Sequence, residues 1–88
     1  MVLIDTVKSA IASTINCSNL VVIDTSDGCG SKFHIFVSSK QFDGVSLIDR
    51  HRLVQSALSQ YMNDIHAVEI KAWTEKQWNE KLNTIPKQ

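Results

Sequence analysis

The 88 residues carry no excess of charge: nine Lys+Arg stand against nine Asp+Glu, for a formal net charge of zero at pH 7. The sequence-independent attraction to phosphate that marks most nucleic-acid binders is therefore weak over the whole molecule, leaving only a local basic patch to supply it. No apolar run approaches the roughly 20 residues that span a bilayer. The opening Met1-Val2-Leu3-Ile4-Asp5 also lacks the basic flank of a signal or transit peptide. Cysteine is scarce as well. Cys17 and Cys29 do not make the disulfide framework of a secreted mini-protein, and a reducing compartment keeps both as thiols. These absences predict a cytosolic protein, with the nucleus open to it in a eukaryote. No repeat, low-complexity stretch or linker interrupts the chain. With 43% hydrophobic residues, it reads as a single domain over 1–88 with one modest core.

What is present is a regular alternation of patterns. Leu3, Ile4, Val7, Ile11 and Ile15 recur at helical spacing while Lys8, Ser9 and Ser13 lie off that stripe, so the first helix is amphipathic and Asn16 can end it. Leu20 to Thr25 is a β-branched run, Ser26 to Ser31 a glycine-containing turn, and Lys32 to Ser38 a strand with Phe33, Ile35 and Val37 on one face. The pair makes a hairpin. Ser39 to Val45 reads as irregular. Ser46-Leu47-Ile48-Asp49 then matches a capping box, which starts a helix near Leu47. Its apolar positions Leu47, Val54, Leu58 and Tyr61 continue to Met62, and Asn63-Asp64 stops it before a strand from Ile65 to Ala72. Trp73 and Trp78 flank Thr74 as the hydrophobic staple of a last helix, with Gln77 completing its capping box and Pro86 ending the fold.

The order helix, strand, strand, helix, strand, helix predicts an α+β fold with a three-stranded mixed sheet. The long helical connection between the second and third strands suits a right-handed parallel crossover. Parallel strands begin at the same end of a sheet, so Cys29, just before the second strand, and His66, at the start of the third, should share one edge. A thiol between Gly28 and Gly30 has little side-chain cover, and an imidazole at a strand start can point out of the sheet end. Together they would hold half of a metal or iron-sulfur site. The plainer alternatives are a turn cysteine without a role and a core-edge histidine, because His66 shares strand parity with Val68 and Ile70. His51 falls on the stripe of Leu47, Val54 and Leu58, while its neighbours Arg50 and Arg52 are expected to project to solvent; the three are secondary binding candidates. His34 is expected at the surface and Cys17 is expected to be structural.

The blocks Asp27-Gly28-Cys29-Gly30-Ser31-Lys32-Phe33, Phe42-Asp43-Gly44-Val45-Ser46-Leu47 with Arg50-His51-Arg52-Leu53-Val54, and Ile65-His66-Ala67 with Lys71 and Thr74-Glu75-Lys76-Gln77-Trp78 resemble the BolA family. Each block is weak alone; their ordered set is specific and covers nearly the whole chain. The resemblance implies a fold similar to class II KH domains, here without the G-x-x-G loop that clamps nucleic acid. It further implies pairing with a monothiol glutaredoxin and, with glutathione, a shared bridging [2Fe-2S] cluster that the isolated chain does not bind. On this resemblance His66 matches the family's strand-opening histidine, and Cys29 the loop cysteine of one branch. Glu75 stands where family members often have proline, a departure expected to touch only helix initiation.

Ligand chemistry agrees with that role. A [2Fe-2S] cluster takes four ligands, usually thiolates. This chain offers two obvious ones, so completion by a partner thiol and a small thiol would make the cluster shared and transferable. The leading expectation is a non-enzymatic adaptor in iron-sulfur trafficking or iron sensing, with homodimerisation also open to it. The alternative is a nucleic-acid-binding transcriptional regulator using Arg50, Arg52 and Lys32, against which the zero net charge and missing glycine clamp count. A thiol enzyme with Cys29 as nucleophile and His66 as base ranks last, for want of a third orienting residue.

Overall fold

The computed structural model describes residues 3–26 and 30–86. Helix α1 (Ile4–Thr14) leads to strands β1 (Asn19–Asp24) and β2 (Lys32–Ser38), a 3₁₀ turn at Lys40–Phe42 and helix α2 (Leu47–Ala57). A 3₁₀ stretch at Ser59–Asp64 follows, then strand β3 (Ala67–Trp73), helix α3 (Glu75–Glu80) and a last 3₁₀ turn at Leu82–Thr84. The sheet order is β1-β2-β3. β1 runs antiparallel to β2, with Val22 opposite Ile35, and β3 runs parallel to β2, with Ile35 opposite Ile70. This is the expected α+β architecture with a mixed sheet.

The alternation of the strands decides which face is covered. Val22, Phe33, Ile35, Val37, Ile70 and Ala72 are buried together with Val7, Ile11 and Ile15 of the first helical stripe and with Val54 and Leu58 of α2. Phe42 and Ile65 complete this core from the connections. The opposite face is not open either. Phe36 is buried there, 6.1 Å from Trp73 between ring centroids, and Trp73 meets Trp78 edge-on at 6.1 Å. The last contact is the predicted staple, and both halves of the Thr74–Gln77 capping box form. α3 is thereby folded back over the outer face rather than onto the main core.

Several expectations are corrected. The second helix ends at Ala57 instead of running to Met62: the Leu58 amide is shared between the carbonyls of Val54 and Gln55, which tightens the chain into a 3₁₀ turn. Ser59, Asn63 and Asp64 are weak helix formers, and the tighter winding still packs Tyr61 and Met62 against the core. Leu47 is 60% exposed, because the buried side of α2 runs Arg50, Val54 and Leu58. Only half of the Ser46 capping box forms: the Asp49 amide donates to Ser46 Oγ at 3.2 Å, while the Asp49 carboxylate lies 3.4 Å from Arg52. β3 begins at Ala67 rather than Ile65, with its parity unchanged. His34 is not simply a surface residue, since its ring stacks on Phe36 at 4.1 Å and its side chain is 25% exposed. Glu75 does more than start a helix: its carboxylate accepts the Ser18 hydroxyl at 2.5 Å.

The largest correction concerns Arg50, which is 8% exposed and does not project to solvent. Its Nε donates to the Val45 carbonyl at 2.8 Å, and its Nη1 donates to Ala72 O and Gln77 Oε1 at 3.3 and 2.9 Å. One guanidinium thus ties the entry of α2, the end of β3 and the cap of α3. Arg52, with a side chain 74% exposed, remains outside. Arg50→Ala should therefore lower unfolding free energy by about 3 kcal/mol, because it strands carbonyl and amide acceptors. Arg52→Ala should stay within about 0.5 kcal/mol. Urea unfolding of both variants checks this, and equal midpoints would show that the buried guanidinium stabilises nothing.

Candidate functional site

The parallel register places Lys32 opposite Ala67, so the residues preceding the two strands meet at one end of the sheet. The amides of His66 and Ala67 both donate to the Ser31 carbonyl, at 2.7 and 3.3 Å. That pair of bonds holds His66 at the mouth of the β1–β2 hairpin. Gly30 is its neighbour. A Cβ built on Gly30 would stand 3.0 Å from His66 Cβ and 3.9 Å from His66 Nδ1, and Gly30 has φ +133°, a conformation that disfavours any L side chain. A glycine here is what allows the hairpin backbone to lie directly against the histidine.

The imidazole of His66 is exposed, and among the described residues no hydrogen bond engages it. Cys29 lies outside the described residues. Gly30, which follows it directly, is in contact with His66, and the other side of the loop is pinned by an Asx turn. There the Ser26 amide donates to Asp24 Oδ1 at 2.8 Å, and the Lys32 amide donates to Ser26 Oγ at 3.0 Å. The Ser26 hydroxyl and amide together hold the exposed Asp24 carboxyl below its ordinary range.

Cys17 belongs to the other end of the molecule. Its neighbour Ser18 bonds through its amide to the Ser38 carbonyl at 2.8 Å, where β2 finishes. Burial pushes the Cys17 thiol up, which disfavours the thiolate that a metal would need. Among the described residues no group of three or more His, Cys, Asp or Glu is placed to hold a metal ion. Among the described residues the donor set at the hairpin mouth is thus partial: one imidazole without a hydrogen bond, beside a loop whose Cys29 is the nearest thiol in sequence.

The three secondary binding candidates do not form one surface. His51 is half-buried, Arg50 is consumed inside the fold and Arg52 faces solvent. Sequence reasoning missed Gly30 and Ser31 as the residues that seat His66. A glycine immediately before a strand, facing a strand-opening histidine across a parallel register, was the available signal.

The chain was compared with known proteins. The family model described as BolA-like protein matches residues 7–77. The chain belongs to the BolA-like family. Protein BOLA2 of Arabidopsis thaliana is 46% identical over 79 residues, covering 89% of this chain and 85% of the relative. Among solved structures, a bol-like protein from Babesia bovis superposes with a TM-score of 0.86 at 39% identity, covering 93% of this chain and 95% of its own. Yeast Fra2 superposes with a TM-score of 0.71 at 32% identity, covering 99% and 97%. The BolA-like match spans every strand and the crossover that brings His66 to Gly30. No helix among the described residues is long and apolar enough to cross a membrane.

The contact between residue 30 and His66 makes a direct test. Gly30→Ala should destabilise the chain by about 1–3 kcal/mol through backbone strain and should shift the His66 ring resonances, because the new methyl occupies their space. Unchanged ring resonances in the NMR spectrum of a folded Gly30→Ala chain would show that the hairpin does not press on His66.

Proposed function

We propose that this BolA-like chain is a non-catalytic adaptor that contributes His66, together with Cys29, to a [2Fe-2S] cluster shared with a monothiol glutaredoxin and glutathione in the cytosol. The observation that carries this reading is the exposed imidazole of His66, unengaged among the described residues and held by its own backbone against the cysteine-bearing hairpin. A histidine packed for structural reasons would bury its ring or satisfy its nitrogens, whereas a ligand must present one to a metal. The partial donor set accords with a cluster completed from outside, since two donors from this chain leave two places for thiolates. Such a cluster is cargo, open to exchange, rather than a buried electron carrier.

The nucleic-acid reading loses support with Arg50, whose guanidinium is committed to three internal acceptors. A thiol-enzyme reading finds no group that orients His66 among the described residues.

The test is co-purification with a monothiol glutaredoxin, iron and glutathione, followed by visible circular dichroism. His66→Ala should abolish or strongly alter the cluster spectrum, and Cys29→Ala should leave a weaker, differently coordinated species. The His66→Ala chain should unfold within about 0.5 kcal/mol of the parent, as exposed substitutions do. A parent-like visible spectrum from the His66→Ala complex would mean that the histidine is no ligand.

A further inference from the structure

The outer face of the sheet carries a cleft of about 380 Å³ that the iron-sulfur reading leaves unused. It is lined by His34 and Phe36 of β2, Lys71 and Trp73 of β3, and Lys81 and Thr84 beyond α3. The register makes the wall continuous: His34 stands opposite Glu69 and Phe36 opposite Lys71, all on the face away from the main core. The aromatic floor is held from below, with Phe36 between His34 at 4.1 Å and Trp73 at 6.1 Å. Trp78 braces Trp73 from the other side.

Three features point to a ligand of one kind. First, His34 Nε2 is enclosed without a hydrogen-bond partner, the Glu69 carboxylate being 4.0 Å away. An orphaned buried polar atom costs about 1–3 kcal/mol, a cost that a neutral polar ring substituent at this end of the cleft would offset. Second, the rim carries two ammonium groups against one carboxylate. Lys71 lies 3.8 Å from Glu69 in an exposed pair of little energetic weight, and Lys81 adds a further positive charge. Third, the volume lies near the lower end of small-molecule sites, which span roughly 300–1,000 Å³ and combine an apolar lining with a few polar groups. It suits one ring system with one anionic substituent.

We propose that this cleft binds a small aromatic anion, a ring bearing a phosphate or carboxylate. The ring lies against Trp73 and the anionic group sits between Lys71 and Lys81. Glu69 disfavours an anion at the His34 end, so the polarity of the site orients the ligand. The hydroxyl of Thr84 donates to the Lys81 carbonyl at 2.7 Å, which ties together the two residues of this wall.

Phenyl phosphate serves as the probe in an NMR titration of the full chain, with the Trp73 indole N–H and the Lys71 and Thr84 amides as reporters. Saturable shifts confined to the cleft are expected, with phenol and inorganic phosphate each binding at least about tenfold more weakly. The double variant Lys71→Gln/Lys81→Gln should weaken phenyl phosphate about tenfold while keeping the near-ultraviolet signal of the Trp73–Trp78 pair. His66→Ala should leave the titration unchanged, so this proposal and the iron-sulfur reading fail independently. It is overturned by the absence of saturable shifts, by equal binding of inorganic phosphate, which would indicate an adventitious ion only, or by a double variant that binds as the parent does.

Discussion

Everything at the candidate site depends on the parallel pairing of β2 with β3. Had the third strand run antiparallel, its first residue would lie at the far end of the sheet from the hairpin, and no side-chain choice could bring the two together. Parallel pairing demands a crossover, and the crossover supplies Val54 of α2 and Leu58 just beyond it, which close one side of the core. Register matters as much as direction. A slip of two residues would preserve the buried face but displace His66 by about 6–7 Å along the strand, far beyond the reach of a shared metal ligand. The two bonds to Ser31 O therefore report a geometric requirement as well as a local stabilisation.

The polar ties of the fold gather at the opposite end. Ser39 Oγ donates to Asn16 O at 2.8 Å and accepts from the Gln41 amide at 3.0 Å, and the Asn16 amide donates to Gln41 Oε1 at 2.6 Å. Arg50 closes the same end from the other side. These side chains bond chain segments distant in sequence, so they constrain topology more than any single element. The hairpin end is seated on His66 by main-chain bonds and one close glycine contact, and among the described residues no hydrogen bond engages the His66 ring. Constraint and availability are thus divided between the two ends of one small sheet.

Much of this was legible in the sequence because it rests on period and on turn chemistry. The alternation Phe33, Ile35, Val37, the helical stripe Val7, Ile11, Ile15 and the Thr74–Gln77 box each depend on local spacing, and each is found as read. The juxtaposition of His66 with the hairpin followed from strand direction alone. Arg50 was misjudged because an arginine between an aspartate and a histidine, with a second arginine two residues on, reads as a charged surface, whereas its actual partners, Ala72 O and Gln77 Oε1, lie 22 and 27 residues away. The same reason hid the outer-face cleft. His34, Phe36, Lys71 and Trp73 look like an ordinary solvent-facing set until α3 folds back over them.

The Ser18–Glu75 bond joins the segment between α1 and β1 to the first residue of α3. Proline at that position would prepare the helix locally, through a fixed backbone angle and independently of the rest of the chain. A glutamate instead adds to the local Thr74–Gln77 box a tie to a residue 57 positions earlier. The six residues of α3 are too few to hold a helix alone in water, so the segment relies on the Trp73–Trp78 contact and on ties such as this one. The last helix is thus joined to the opening third of the chain as well as to the strand it follows.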